Sequence, residues 1–167
     1  MRAAVLASCL LAFCLFGAAS AQSFPSFTAA MKQGQYSRLS TVVDTLGLAK
    51  TFSNPQLKLT VFVPTNEAFS NAEKRTGISI ATLSAQKSLM QQVVYYHIVK
   101  EVVRAPLPAR QLPTFVSGKF LTGAGMTVKG VGSNEAKIVQ ANIKCGAGMA
   151  HGISNVLTFL NIGALGR

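Results

Sequence analysis

Apolar residues recur in two rhythms along the first hundred positions, and each rhythm predicts a different kind of element. Phe24 to Leu48 is helix-prone, with Leu39, Val42, Val43, Leu46 and Leu48 near helical spacing and Gly47 standing where a helix would end. A polar connection around Ser53-Asn54-Pro55 leads to Leu57-Lys58-Leu59-Thr60-Val61-Phe62-Val63, whose β-branched and aromatic content predicts a strand. Pro64 is expected to end that strand. Thr65 is placed to cap the next helix, its hydroxyl accepting from a free backbone N–H. Glu67 then falls in the first turn, beside the positive end of the helix dipole.

A second helix is predicted from about Leu83 to Val94 on the stripe Leu89, Met90, Val93 and Val94. Tyr95-Tyr96-His97-Ile98-Val99 reads as a strand. Pro106, Pro108 and Pro113 mark an irregular crossing. From Phe115 onward, short apolar runs at 119–121, 126–128 and 136–139 are separated by Gly123, Gly125, Gly130 and Gly132, the pattern of an antiparallel meander. Helices early and strands late predict an α+β domain, with no internal repeat and no low-complexity segment.

The N-terminus adds a compartment. Arg2 supplies a positive charge, Ala3 to Ala18 is apolar or small, and Ala19-Ser20-Ala21 offers the small residues a signal peptidase reads. Residues 1–21 are therefore expected to be a signal peptide and 22–167 a single domain. The apolar run approaches the ~20 residues that span a bilayer, but the cleavage pattern and polar Gln22 and Ser23 favour removal. Leu160 to Arg167 lacks the hydrophobic tail of a lipid-anchor signal, so a free secreted protein without a stable membrane anchor is expected. Processing would remove Cys9 and Cys14 and leave Cys145 alone. Stability must then come from burial, not disulfides. The thiol reads as buried and inert, with a disulfide-linked dimer as the alternative. No Asn-x-Ser/Thr acceptor is present, since Asn54 precedes proline.

Three ordered blocks carry a family likeness. Thr60-Val61-Phe62-Val63-Pro64-Thr65-Asn66-Glu67-Ala68-Phe69 is a strand-to-helix junction, Tyr96-His97 follows the central helix, and Ile138 to Ile143 through His151 to Leu157 closes the chain. Together they resemble the fasciclin-domain family over roughly residues 24–160. The likeness implies N-terminal helices packed on an antiparallel β-sandwich or wedge, in a secreted or cell-surface module that binds without catalysis. Thr65, Asn66, Glu67 and His151 are then fold-defining. Tyr96 and His97 fall where animal members are implicated in integrin-dependent adhesion, although a strand there also turns alternate side chains into the core. Three departures weaken any acid-dependent partner motif: Ala147-Gly148 for Asn-Gly, Ser154 for aspartate, and Asn142 for aspartate.

Candidate chemistry is sparse. His97, His151 and Cys145 are metal-ligand types, but no close-spaced ligand pair exists. Gly152-Ile153-Ser154 starts like a nucleophile elbow, yet Val156 stands where the closing glycine belongs. Asp44, Glu67, Glu73, Glu101 and Glu135 are the five acids, and they suggest no acid–base pair. No catalytic residue, metal or obligatory cofactor is expected.

Charge is the feature the likeness leaves unexplained: 16 Lys and Arg stand against five acids, a net +11. Lys100, Arg104, Arg110, Lys119, Lys129, Lys137 and Lys144 are spread along the second half. One reading is solvated charge that maintains solubility; the other is a diffuse footprint for anionic polysaccharide at a wall or matrix. Secretion and the lack of a basic helix argue against nucleic acid. A further alternative comes from the likeness, because some green-algal fasciclin-type proteins carry a carotenoid of the astaxanthin type. An apolar small molecule could on that basis be bound near the early helices and Gln56, Leu57 and Leu59.

Overall fold

The computed structural model describes residues 22–132 and 135–159. The expected signal peptide, with Cys9 and Cys14, lies outside the described residues. The helix-prone stretch folds as short pieces. Strand β1 (Ser23–Phe24) precedes α1 (Phe27–Met31), whose N-cap Ser26 accepts from the Ala29 N–H at 3.3 Å. A 3-10 turn at Gly34–Tyr36 leads into α2 (Ser37–Thr45), and α3 (Ala49–Phe52) follows. Gly47, at φ +69°, turns the chain between α2 and α3, a conformation glycine adopts without strain.

Strand β2 (Thr60–Pro64) begins at Thr60, not at Leu57, and keeps Pro64 as its last residue. Helix α4 (Asn66–Thr76) starts as expected, with the Thr65 hydroxyl accepting from Ala68 N–H at 3.1 Å and Glu67 in the first turn. The second predicted helix is divided at Gln86 into α5 (Ile80–Ala85) and α6 (Lys87–Tyr96). Tyr95 and Tyr96 are helical, His97 caps α6, and only Ile98–Val99 forms strand β3. The expected strand at 95–99 loses three residues to the helix because Met90, Val93, Val94 and His97 continue one helical stripe into the core.

Beyond the prolines come β4 (Gln111–Pro113), β5 (Phe120–Ala124), β6 (Thr127–Gly130), β7 (Ala136–Cys145) and β8 (Gly148–Ile153). They form the expected antiparallel meander. Two parallel pairings join it: β2 lies on β8, from Thr60 opposite Met149 to Pro64 opposite Ile153, and β1 lies on β7. The strand order is β3-β2-β8-β7-β6-β5-β4, so the sheet is mixed. Its two ends meet. Val99 bridges Thr114, Lys100 N–H donates to Pro113 O at 3.0 Å, and Phe115 N–H donates to Ile98 O at 3.0 Å. The sheet is therefore nearly closed, which leaves few unpaired backbone groups for another strand to capture.

Strand β2 separates two cores. Val61 and Val63 face the helices, packing with Phe27, Met31, Val42 and Phe52. Phe62, between them, points into the closed side with Leu112, Leu121, Val128, Ile153 and Leu157. Alternation along a strand buried on both faces explains its continuous apolar run. Each such side chain contributes roughly 1.5–3 kcal/mol through its burial.

Candidate functional site at the seam of the sheet

Tyr96 and His97 sit at the end of α6, immediately before β3. Tyr96 is fully buried; its hydroxyl donates to Phe120 O at 2.9 Å and accepts from Val131 N–H at 3.0 Å. It thereby joins the start of β5 to the chain just beyond β6. His97 is also buried. Its Nε2 accepts from Leu157 N–H at 2.9 Å, so Nδ1 carries the proton and donates to Val93 O at 2.8 Å. Burial pushes the His97 pKa down to about 4.

His151 is a second interior histidine. Its Nδ1 accepts from Asn142 N–H at 3.1 Å and its Nε2 donates to Val103 O at 2.9 Å, with the ring stacked on Phe62 at 5.6 Å. Burial lowers its pKa as well. Asn142, in the left-handed region at φ 58°, clamps Ala105 from both sides: its Oδ1 accepts from Ala105 N–H at 2.9 Å and its Nδ2 donates to Ala105 O at 3.0 Å. The amide in place of an aspartate thus supplies a donor as well as an acceptor. Sequence reasoning gave Asn142 no role, since Ala105 is remote along the chain.

Asn66 and Thr65 are likewise framework. Asn66 Oδ1 accepts from Arg38 N–H at 3.0 Å while Nδ2 donates to Gly34 O at 2.8 Å, fastening the start of α4 to the start of α2. Glu67 is exposed beside this junction. Among the described residues no group of three or more His, Cys, Asp or Glu side chains comes together for a metal.

The basic residues lie outside this framework. Two ion pairs occur among the described residues, Arg38 with Glu73 at 2.8 Å and Arg110 with Glu101 at 2.7 Å. Lys129 and Lys137 share the outer face of β6 and β7, because Lys137 stands opposite Thr127 and Thr127 is two residues from Lys129. Arg104 and Lys144 are exposed elsewhere. Lys100 and Lys119 are distinctive. The Lys100 ammonium lies 5.9 Å from the centre of the Phe115 ring, and that of Lys119 lies 5.9 Å from the Phe159 ring. Phe115 is 46% exposed and its ring stands 6.5 Å from Tyr95. Nothing along the chain marks Phe115 as the partner of Lys100 and Tyr95; closure of the sheet brings it to both.

An apolar crevice of about 60 Å³ opens between α4, α5 and α6, lined by Phe69, Ile80, Leu83, Met90, Val93 and Val156 among others. The suggested apolar-ligand residues are not on it. Gln56 is exposed, Leu57 is half-buried and Leu59 is buried in the helix-side core, where its carbonyl accepts from Met149 N–H at 3.0 Å. No helix among the described residues is long and apolar enough to cross a membrane.

Comparison with known proteins agrees with this architecture. The family model described as "Fasciclin domain" matches residues 34–159. Among solved structures, the chain is similar to a FAS1 domain pair from the insect cell adhesion molecule Fasciclin I, with TM-score 0.58 and 26% identity. That match covers 74% of this chain but 45% of the other, so the chain spans less than half the length of the domain pair. No curated protein sequence matches. Helices on a mixed, nearly closed sheet and a family match from the first 3-10 turn through Phe159 place this chain in the fasciclin-domain family.

Proposed function

We propose that this chain is a secreted, non-catalytic binding module of the cell surface or extracellular matrix, and that it favours acidic polysaccharide. The observation that carries the reading is the state of its cations. Of the 14 described Lys and Arg residues, Arg38 and Arg110 are the two in ion pairs. Removal of residues 1–21 would leave this excess almost intact. That the insect relative is a cell adhesion molecule supports the class of function, while the interior placement of Tyr96 and His97 moves the proposed contact surface outward to the charges. The interior histidines are likewise committed to backbone partners, which supports binding over catalysis.

The test is chromatography of the processed chain on immobilised polygalacturonate and on neutral dextran. Retention on the acidic matrix at low salt, released as screening shortens to ~3 Å near 1 M salt, is expected. Failure to bind it at low salt would sink the reading. Secretion is tested separately, by recovering protein from the medium with Gln22 at its N-terminus.

A soluble carrier of a carotenoid or similar apolar molecule is the second reading, and the crevice between α4, α5 and α6 favours it. Its 60 Å³ falls far short of the roughly 300–1,000 Å³ of ligand pockets, so a polyene would require α5 to move. Native purification with a visible spectrum decides. A bound chromophore would establish the carrier role, and a colourless protein that also fails to take up added pigment would remove it.

A further inference from the structure

We infer that the seam between β3 and β4 is the seat of an anionic sugar ring, with Phe115 as the platform and Lys100 and Lys119 as the cations. The inference rests on the reading of the protein as an acidic-polysaccharide binder and gives that reading a place.

Three observations converge there. Phe115 is large, aromatic and 46% exposed, yet its backbone is fixed, since its N–H donates to Ile98 O at 3.0 Å across the closure. The turn that follows is also tied down: the Thr114 hydroxyl donates to Lys119 O at 2.8 Å, and Lys119 N–H donates to Val116 O at 3.1 Å. Tyr95 stands 6.5 Å from Phe115, and its hydroxyl accepts from Gln91 Nε2 at 2.9 Å, so the aromatic surface is wider than one ring and already ordered. Little conformational freedom remains to be lost on binding.

Neither Lys100 nor Lys119 is in an ion pair among the described residues. Lys100 approaches the Phe115 ring and Lys119 approaches Phe159, whose ring in turn packs edge-on against Tyr96 at 5.3 Å. Glu101, the acid adjacent in the chain, is held by both terminal nitrogens of Arg110 at 2.7 and 2.9 Å. Its carboxylate is thereby matched by Arg110. The other acid of the second half, Glu135, immediately precedes β7.

The pairing of ring and cation selects the class of ligand. A pyranose presents a face of C–H groups that packs on an aromatic ring, and its carboxylate or sulfate substituents project from the edge towards the ammonium groups. A simple anion would gain the charge and not the platform. A neutral sugar would gain the platform and not the charge. Charge complementarity therefore names an acidic glycan as the occupant.

The experiment is titration of the processed chain with an oligogalacturonate, a chondroitin sulfate fragment of equal length and a neutral maltodextrin. Phe115→Ala leaves every charge in place and is expected to weaken acidic-glycan binding about fivefold, whereas Phe115→Tyr restores it. Lys100→Gln with Lys119→Gln is expected to weaken it more than Lys32→Gln with Lys50→Gln, two exposed lysines of the helical layer. Thermal melting checks that each variant is folded. A stronger response to oligogalacturonate identifies the carboxylate as the preferred group, and a stronger response to chondroitin sulfate identifies the sulfate. Equal binding of maltodextrin would overturn the inference. So would wild-type affinity in Phe115→Ala, or equal losses from the two lysine pairs; in either case a wild-type protein that still binds acidic glycan leaves the broader reading standing as diffuse charge. Absence of acidic-glycan binding by wild type would overturn both together.

Discussion

Nε2 of His97 accepts a hydrogen bond from Leu157 N–H at 2.9 Å, joining the end of α6 to the segment beyond β8. The same ring donates from Nδ1 to Val93 O at 2.8 Å, so both nitrogens are used and the ring is held neutral in one tautomer. Leu157 is itself fully buried in the closed core beside Phe62 and Tyr96. One imidazole thus fastens a helix end to the closing segment of the fold, and the Tyr96–His97 pair is explained by architecture.

Replacing His97 by alanine removes both bonds, leaves the Leu157 amide and the Val93 carbonyl without this partner, and opens a void. The expected loss is about 3 kcal/mol, read as a lower urea midpoint with a similar slope. An unchanged midpoint would mean that the ring is not part of the stable core.

The same geometry predicts the response to acid. His97 is depressed to about 4 in the fold, against about 6.5 in the unfolded chain, and His151 is shifted in the same direction. Between these values the unfolded state binds more protons, so stability must rise with pH there. The contribution is complete above about pH 6.5, declines as the pH falls and is exhausted near pH 4. For His97 alone the loss is roughly 3 kcal/mol across that window. Denaturant titrations between pH 4 and 7 measure it, and they should flatten when His97 is replaced by glutamine. A His97→Gln variant with the wild-type slope would assign the effect to other groups.

Features that depend on neighbours in the chain are legible in the sequence. Thr65 caps α4 and Glu67 sits in its first turn because an N-cap needs only residues within one helical turn. The pair Tyr95-Tyr96 was not legible, since its β-prone composition is overridden by the stripe that carries α6 through to His97. The parallel register of Thr60 on Met149 joins residues far apart in sequence, and neither strand alone specifies its partner. The seam is the extreme case. Lys100 is a candidate by its charge alone, but Phe115 has meaning only where its N–H meets Ile98 O across the closure.

Gly148 is a point of close backbone approach in the helix-side layer. A Cβ placed there would lie 2.5 Å from Phe27 Cζ, 2.7 Å from Leu57 O and 2.8 Å from Leu59 O. Two of these three are main-chain atoms that cannot rotate away. Gly148→Ala is therefore expected to cost about 2–3 kcal/mol by forcing apart β8 and the residues before β2. Thermal or urea unfolding measures this, and a shift below about 0.5 kcal/mol would show that the 57–59 segment yields. Gly34, with nothing near its Cβ position, is the contrasting site where alanine should be tolerated.

Cys145 closes β7 in the helix-side core and is almost inaccessible. Burial in the apolar core pushes its pKa up to about 12. Because the thiolate is the reactive form, two barriers add: few thiolates form, and reagent cannot reach them. At pH 8 the native protein should react with an aromatic disulfide reagent at least about a thousandfold more slowly than the chain in guanidinium. The same burial opposes a disulfide between two copies, so a non-reducing gel of freshly purified protein should show a monomer band. Rapid labelling of the native state, or a covalent dimer that disappears with reductant, would mean that β7 and β8 part readily at the Cys145–Gly148 end and that the thiol is available to a partner.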